Sequence, residues 1–180
     1  MKMRTAVALM IGLAVAGAAF AQGQRAARGV ATDIKAADVQ ALAKKMSSMP
    51  GGDELLRVAS INNGEYNVAV AVVHRAKAAN IAAGLEHNQI TEIYHVISGS
   101  GTMVSDGTME NVKNSTDPHT ISVVGPSAGG GKMVGGKSRK ISAGDVVILP
   151  PNTAHGWSEV SEELVYLVVR MDPHKVLKVQ

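Results

Sequence analysis

The alternation of apolar and polar positions changes character twice along this chain. Residues 5–20 form an almost unbroken apolar run. Residues 36–46 then place Val39, Leu42, Ala43 and Met46 at i, i+3, i+4 and i+7, with Gln40, Lys44 and Lys45 opposite, which predicts one amphipathic helix. Pro50-Gly51-Gly52 ends it. From residue 55 onward the period is that of strands. Segments 55–61 and 66–74 are rich in β-branched residues and are joined by Asn62-Asn63-Gly64, a hairpin signal. Segments 94–97, 101–104, 121–124, 146–149 and 164–169 read as further short strands, with Ser98-Gly99-Ser100 as a turn between two of them. Many short strands behind a single helix predict an all-β sandwich or barrel.

The N-terminal apolar run belongs to a different argument. Lys2 and Arg4 precede it and Ala19-Phe20-Ala21 closes it, the small-x-small pattern of signal-peptide cleavage. It is short for the ~20 apolar residues of a membrane span. The expected organisation is a signal peptide at 1–21, a Gly/Arg/Ala-rich lead-in at 22–35 and one domain at 36–180. The expected location is periplasmic or secreted, with no membrane contact once the signal is cleaved. Lys2 and Arg4 supply two of the three surplus positive charges, so residues 22–180 carry a formal +1. With that balance, and only Tyr66, Tyr94, Tyr166 and Trp157 as aromatics beyond residue 21, a nucleic-acid partner is not expected. The absence of cysteine excludes thiolate nucleophiles and sulfur-ligated metals.

Residues 105–140 are rich in Gly, Ser, Asn and Lys and include Gly129-Gly130-Gly131 and Gly135-Gly136. They read as a long, weakly structured connection, either a lid over a site or a surface insertion.

Two segments carry polar residues that a β-barrel interior does not otherwise need. The first runs from Gly84 through His87, Glu92 and Tyr94 to Gly99; the second runs from Gly144 through Pro150 and Asn152 to His155. Together they resemble the two motifs of the cupin superfamily, and the resemblance spans roughly residues 55–170. In the first motif, Glu92 and Gly99 are six residues apart and His87 precedes Glu92 by four intervening residues, as in the second histidine of the pattern. Leu85 stands where the first histidine would be. In the second motif, Gly144, Pro150 and His155 match, Asn152 replaces a glycine as a residue that also tolerates φ > 0, and Glu159 stands in place of an asparagine.

The resemblance implies an all-β cupin fold, a double-stranded β-helix or jelly-roll barrel, behind one N-terminal helix. It implies one divalent transition metal, Fe, Mn, Zn, Ni or Cu, on His87, Glu92 and His155. Two imidazoles and a carboxylate with open positions suit substrate or oxygen chemistry at such an ion. Strand alternation sets Glu92, Tyr94 and Val96 on one face, so Tyr94 stands beside Glu92 as a ligand or as the acid or base toward a bound molecule. His95 faces away. His74, closing the stripe Tyr66, Val68, Val70, Val72, is a candidate to replace the ligand missing at Leu85; His119 is a candidate for the barrel mouth, and His174 reads as surface. Trp157 shares the face of His155.

Three functions fit these residues. One is a metalloenzyme of oxygenase, lyase or isomerase type acting on a small molecule. Another is a non-catalytic module binding a metal or small ligand, and the third is a structural barrel. A homodimer joined through the apolar segments 55–61 and 164–169 is also expected.

Overall fold

The computed structural model describes residues 29–49 and 51–179; the signal peptide read at 1–21 lies outside them. The elements in order are α1 (Ala36–Met46), β1 (Gly51–Ile61), β2 (Tyr66–Arg75), β3 (Gly84–His87), β4 (Thr91–Met109), β5 (Lys113–Asn114), α2 (Pro118–Val124), β6 (Ser127–Gly130), β7 (Met133–Val134), β8 (Lys137–Ser142), β9 (Val146–Leu149) and β10 (Ala154–Asp172). The helix at 36–46 and the hairpin are as the pattern predicts. Met46 is the buried residue of α1, and Asn62, Asn63 and Gly64 all take positive φ to pair Ile61 with Tyr66.

Two long strands organise the molecule. β4 and β10 are each 19 residues and pair antiparallel along nearly their whole length. Residues 91–98 of β4 and 164–172 of β10 share a sheet with β9 on one side and β2 and β1 on the other. Residues 100–107 and 154–160 continue into a second sheet with β8 on one side and β3, β6 and β5 on the other. The ladder does not close into a ring. Between the two sheets lies the main core, including Val73, Val96, Met103, Leu149, Leu164 and Val168.

The crossing from one sheet to the other explains the first departure from the sequence reading. Segment 98–100 is not a reversing turn; it is the bend of one continuous strand. Gly99 sits there at φ +81°, and a Cβ on it would lie 1.9 Å from the Glu163 carbonyl oxygen. Only glycine lets the two long strands bend together this closely.

Segment 121–124 is the second departure, since it forms the end of α2. Asp117 caps that helix by accepting from the Thr120 amide at 2.8 Å, with Pro118 in the first turn. The β-branched residues there bury Val123 and Val124 at a helical spacing too short to announce itself. Residues 105–140 are likewise not a loose connection: they carry the end of β4, β5, α2, β6, β7 and most of β8. Their glycines allow close packing. A Cβ on Gly130 would meet Glu110 O and the Met109 Cβ at 2.7 Å. Finally, segment 164–169 is flanked by both β2 and β4, so it offers no free edge to a partner, whereas among the described residues β1 pairs only with β2.

Candidate metal centre

Strand parity delivers the site. Along β4, Glu92, Tyr94 and Val96 are buried and His95 is exposed, as alternation requires. β3 brings His87 and Leu85 to the same interior wall, and the start of β10 brings His155 and Trp157. The two motif segments touch through their backbones, where the Asn152 amide donates to the His87 carbonyl at 2.8 Å. Asn152 makes that turn at φ +60°.

His87, Glu92 and His155 are all buried, and their potential ligand atoms lie within 4.8 Å of one another. Glu92 Oε2 is 3.4 Å from His87 Nε2 and 3.6 Å from His155 Nε2. Their hydrogen bonds fix which atoms face inward. His155 Nδ1 is 2.9 Å from the Thr153 carbonyl, which can only accept, so Nδ1 carries the proton. His87 Nδ1 is 2.9 Å from Ser127 Oγ, and that hydroxyl spends its own proton on the Gly125 carbonyl. Both Nε2 atoms therefore turn unprotonated lone pairs toward a carboxylate oxygen, the arrangement by which outer partners orient metal-binding imidazoles.

Three acceptors thus converge, and one donor serves them. Tyr94 OH donates to Glu92 Oε2 at 2.9 Å and lies 3.1 Å from His155 Nε2. A buried cluster so short of protons calls for a cation. An ion about 2.1 Å from each donor holds neighbouring donors roughly 3.0–3.4 Å apart, and the two Glu92–histidine distances of 3.4 and 3.6 Å are close enough for the chemistry of this donor set to take one.

Glu92 is held ionised from behind. Burial alone would push its carboxyl up, but the Arg170 guanidinium, followed by the contacts with His87 and His155, brings it below the usual carboxylate range. Arg170 and Glu92 are cross-strand partners, and Arg170 Nε donates to Glu92 Oε1 at 2.9 Å. The same guanidinium reaches Asp53 Oδ2 on β1. Burial, then the Glu92 charge, raises the Tyr94 phenol well above its ordinary range, so it stays a proton donor. Burial also lowers His155, with Glu92 opposing, which keeps its imidazole neutral.

A cavity of about 500 Å³ opens onto this cluster. Trp157, Tyr166 and Tyr94 form an aromatic wall, with ring centroids 4.7 Å apart for Tyr94–Tyr166 and 6.0 Å for Trp157–Tyr166. Leu85 lines the cavity, so the position that departs from the motif is an apolar surface beside the cluster.

Among the remaining histidines, His74 is not a replacement ligand. Ala71, Val73 and Arg75 share the inward parity of β2, so His74 falls on the other face, where Nε2 is 2.7 Å from Glu163 Oε1. His119 lies on α2 at the cavity rim, 3.9 Å from Glu54. His95 and His174 are exposed.

Sequence reasoning did not single out Ser127, Arg170, Asp53 or Arg75. The signal for the arginines was available: each continues the inward parity of an apolar strand, Arg75 after Ala71 and Val73, and Arg170 after Tyr166 and Val168. Ser127 was not findable without the register that pairs it with His87.

No protein-family model matches the sequence, and none of the curated proteins matches it. Among solved structures, the chain is similar to KdgF from Halomonas sp., with 13% identity over 70% of this chain and 82% of that one and a TM-score of 0.44. It is similar to the DMSP lyase DddQ from Ruegeria pomeroyi at 14% identity over 70% of this chain, with a TM-score of 0.44, and spans only 49% of that protein. It is also similar to an RmlC-like cupin from Desulfovibrio desulfuricans, at 15% identity over 68% and 82% of the two chains, with a TM-score of 0.39. In its own architecture, two facing antiparallel sheets receive His87, Glu92 and His155 from the two motif segments on their inner walls, an all-β fold.

Proposed function

We propose that this protein is an exported metalloenzyme that holds one divalent transition-metal ion on His87, Glu92 and His155 and acts on a small molecule. The observation that carries the reading is the convergence of two imidazole lone pairs and a carboxylate oxygen, with one phenol as their only donor among the described residues. A bound ion supplies Lewis acidity toward an oxygen of the ligand. The protein's own residues do the rest. Arg170 keeps Glu92 charged and aimed. Ser127 and the Thr153 carbonyl fix the two imidazoles. Tyr94, with its proton held at the phenol oxygen beside the open cavity, donates to a bound molecule or positions it.

The cavity favours an enzyme or ligand-binding role over a purely structural ion, because structural sites are closed by four protein ligands. Export rests on the signal pattern of residues 1–21.

Metal content tests the reading. Protein purified from its exported form without chelator or affinity metal should carry near-stoichiometric metal, and His87→Ala and His155→Ala should lose it while keeping their β-sheet circular dichroism. Wild-type protein that neither holds nor takes up metal would refute the proposal.

A further inference from the structure

Arg75 is the last residue of β2 and lines the cavity beside the Tyr166 hydroxyl and Gly51, where its Nη1 lies 3.7 Å from the position of a Cβ. Its charge acts on Tyr94 and His155, so it stands within electrostatic reach of the metal cluster. Its companion Arg170 is ion-paired to both Glu92 and Asp53. Among the described residues Arg75 is hydrogen-bonded to Tyr166 and feels the Asp53 charge but forms no ion pair within 4.0 Å, and its buried Nε has no hydrogen-bond partner. A cavity-lining arginine without an ion-pair partner, part of whose donor set is unmatched, is the kind of group that recruits an anion.

The local charge balance points the same way. Glu92 and Asp53 offset Arg170 and Arg75 inside the cavity. Glu54 and His119 pair at the rim, both substantially exposed. A divalent ion added to that set leaves the interior net positive, so the missing partner is negative. The planar guanidinium presents parallel N–H donors that match a carboxylate. Trp157, Tyr166, Leu85 and Val124 give the cavity a wall that suits the carbon chain of an organic anion, while Ser115, Thr120 and Ser127 also line it.

We infer that the cavity takes a small organic carboxylate, with Arg75 anchoring the carboxylate group and the aromatic wall covering the carbon chain. The inference deepens the proposed function and rests on its metal-loaded state for the positive interior. Arg75 is thereby a substrate-positioning residue.

Trp157 is the sole tryptophan of the chain and lines the cavity, so its fluorescence reports occupancy. Wild type, Arg75→Met and Arg75→Lys, each reconstituted with Zn(II) and checked for metal content, would be titrated with butyrate, with its neutral isostere butyramide and with inorganic phosphate. Butyrate should saturate the wild-type signal and butyramide should not. Arg75→Met should weaken butyrate by about ten- to a hundredfold at unchanged metal content, with Arg75→Lys between the two. Butyrate binding unchanged in Arg75→Met, equal binding of butyramide, or preferential binding of phosphate would each overturn the inference while leaving the metal centre intact. Wild-type protein that takes up no Zn(II) would overturn the proposed function and the carboxylate site with it. Should Arg75→Met not fold, Arg75→Lys alone decides: butyrate affinity equal to wild type refutes the bidentate anchor.

Discussion

Replacing Arg170 with methionine isolates the charge network behind the metal cluster. Arg170 is fully buried, donates to Glu92 Oε1 at 2.9 Å and bridges to Asp53 Oδ2. Methionine fills most of the same space without the charge, so the substitution leaves two carboxylates facing each other with no cation between them. Breaking a buried pair by removing one partner costs about 3–5 kcal/mol. Against a typical domain stability of about 5–15 kcal/mol, that is about a fifth of the total or more. With a urea slope of about 2 kcal/mol per M, the unfolding midpoint should fall by roughly 1.5–2.5 M. The measurement belongs on metal-free protein, because a bound cation would itself compensate Glu92. The triple variant Asp53→Asn, Glu92→Gln, Arg170→Met removes the orphaned charges together and should recover most of the loss. A midpoint shift below about 0.5 M for the single variant would refute the network. A triple variant as unstable as the single one would assign the loss to packing.

Other consequences follow from single contacts. Ser127→Ala removes the acceptor that turns the His87 Nε2 lone pair inward, and should weaken metal affinity about 10–100-fold in competition with a chelating indicator; unchanged affinity would show that Ser127 orients nothing. Gly99→Ala drives a methyl group to 1.9 Å from the Glu163 carbonyl at the bend of β4, and should cost at least about 3 kcal/mol, lowering the melting temperature by roughly 6–12 °C. A melting temperature within about 2 °C of wild type would mean the bend relaxes. The exposed Val146 and Ile148 on edge strand β9, with Ile97 beside them, form an apolar outer strip that suits a second copy of the chain. Light scattering should give twice the monomer mass, reduced to the monomer in Val146→Lys with Ile148→Lys; a monomeric wild type ends that reading.

How much of this was legible in the sequence depended on how far each residue's role is local. The α1 stripe and the Asn62-Asn63-Gly64 turn are decided within a few residues, and both are found where periodicity and turn chemistry put them. The interior position of Glu92 and Tyr94 follows from period-two alternation alone. Segment 121–124 misled because β-branched residues read as strand until Asp117 and Pro118 are weighed as a helix start, and the cap wins over propensity in so short an element. The bend at Gly99 looked like a turn because glycine marks both. What distinguishes them is the partner strand β10, which bends alongside, and no local pattern announces a partner.

The residues around the His87–Glu92–His155 cluster were harder to read because they are set by register. Ser127 meets His87, and Arg170 meets Glu92, as directly opposed cross-strand pairs separated by 40 and 78 positions in the chain. Neither pairing has a spacing signature. The same register clarifies the departure at Leu85. Leu85 is the cross-strand partner of His155 and shares the inner face with His87, so a histidine there would have joined the cluster directly. Leucine removes that donor and adds apolar wall to the cavity, on the side where Trp157 and Gly156 also stand. An ion held on the proposed three protein donors would leave more of its coordination sphere open to a ligand, and Tyr94 holds a proton beside that cluster. On the proposed reading, the residue that weakens the match to the motif would also be the one that leaves room for a substrate.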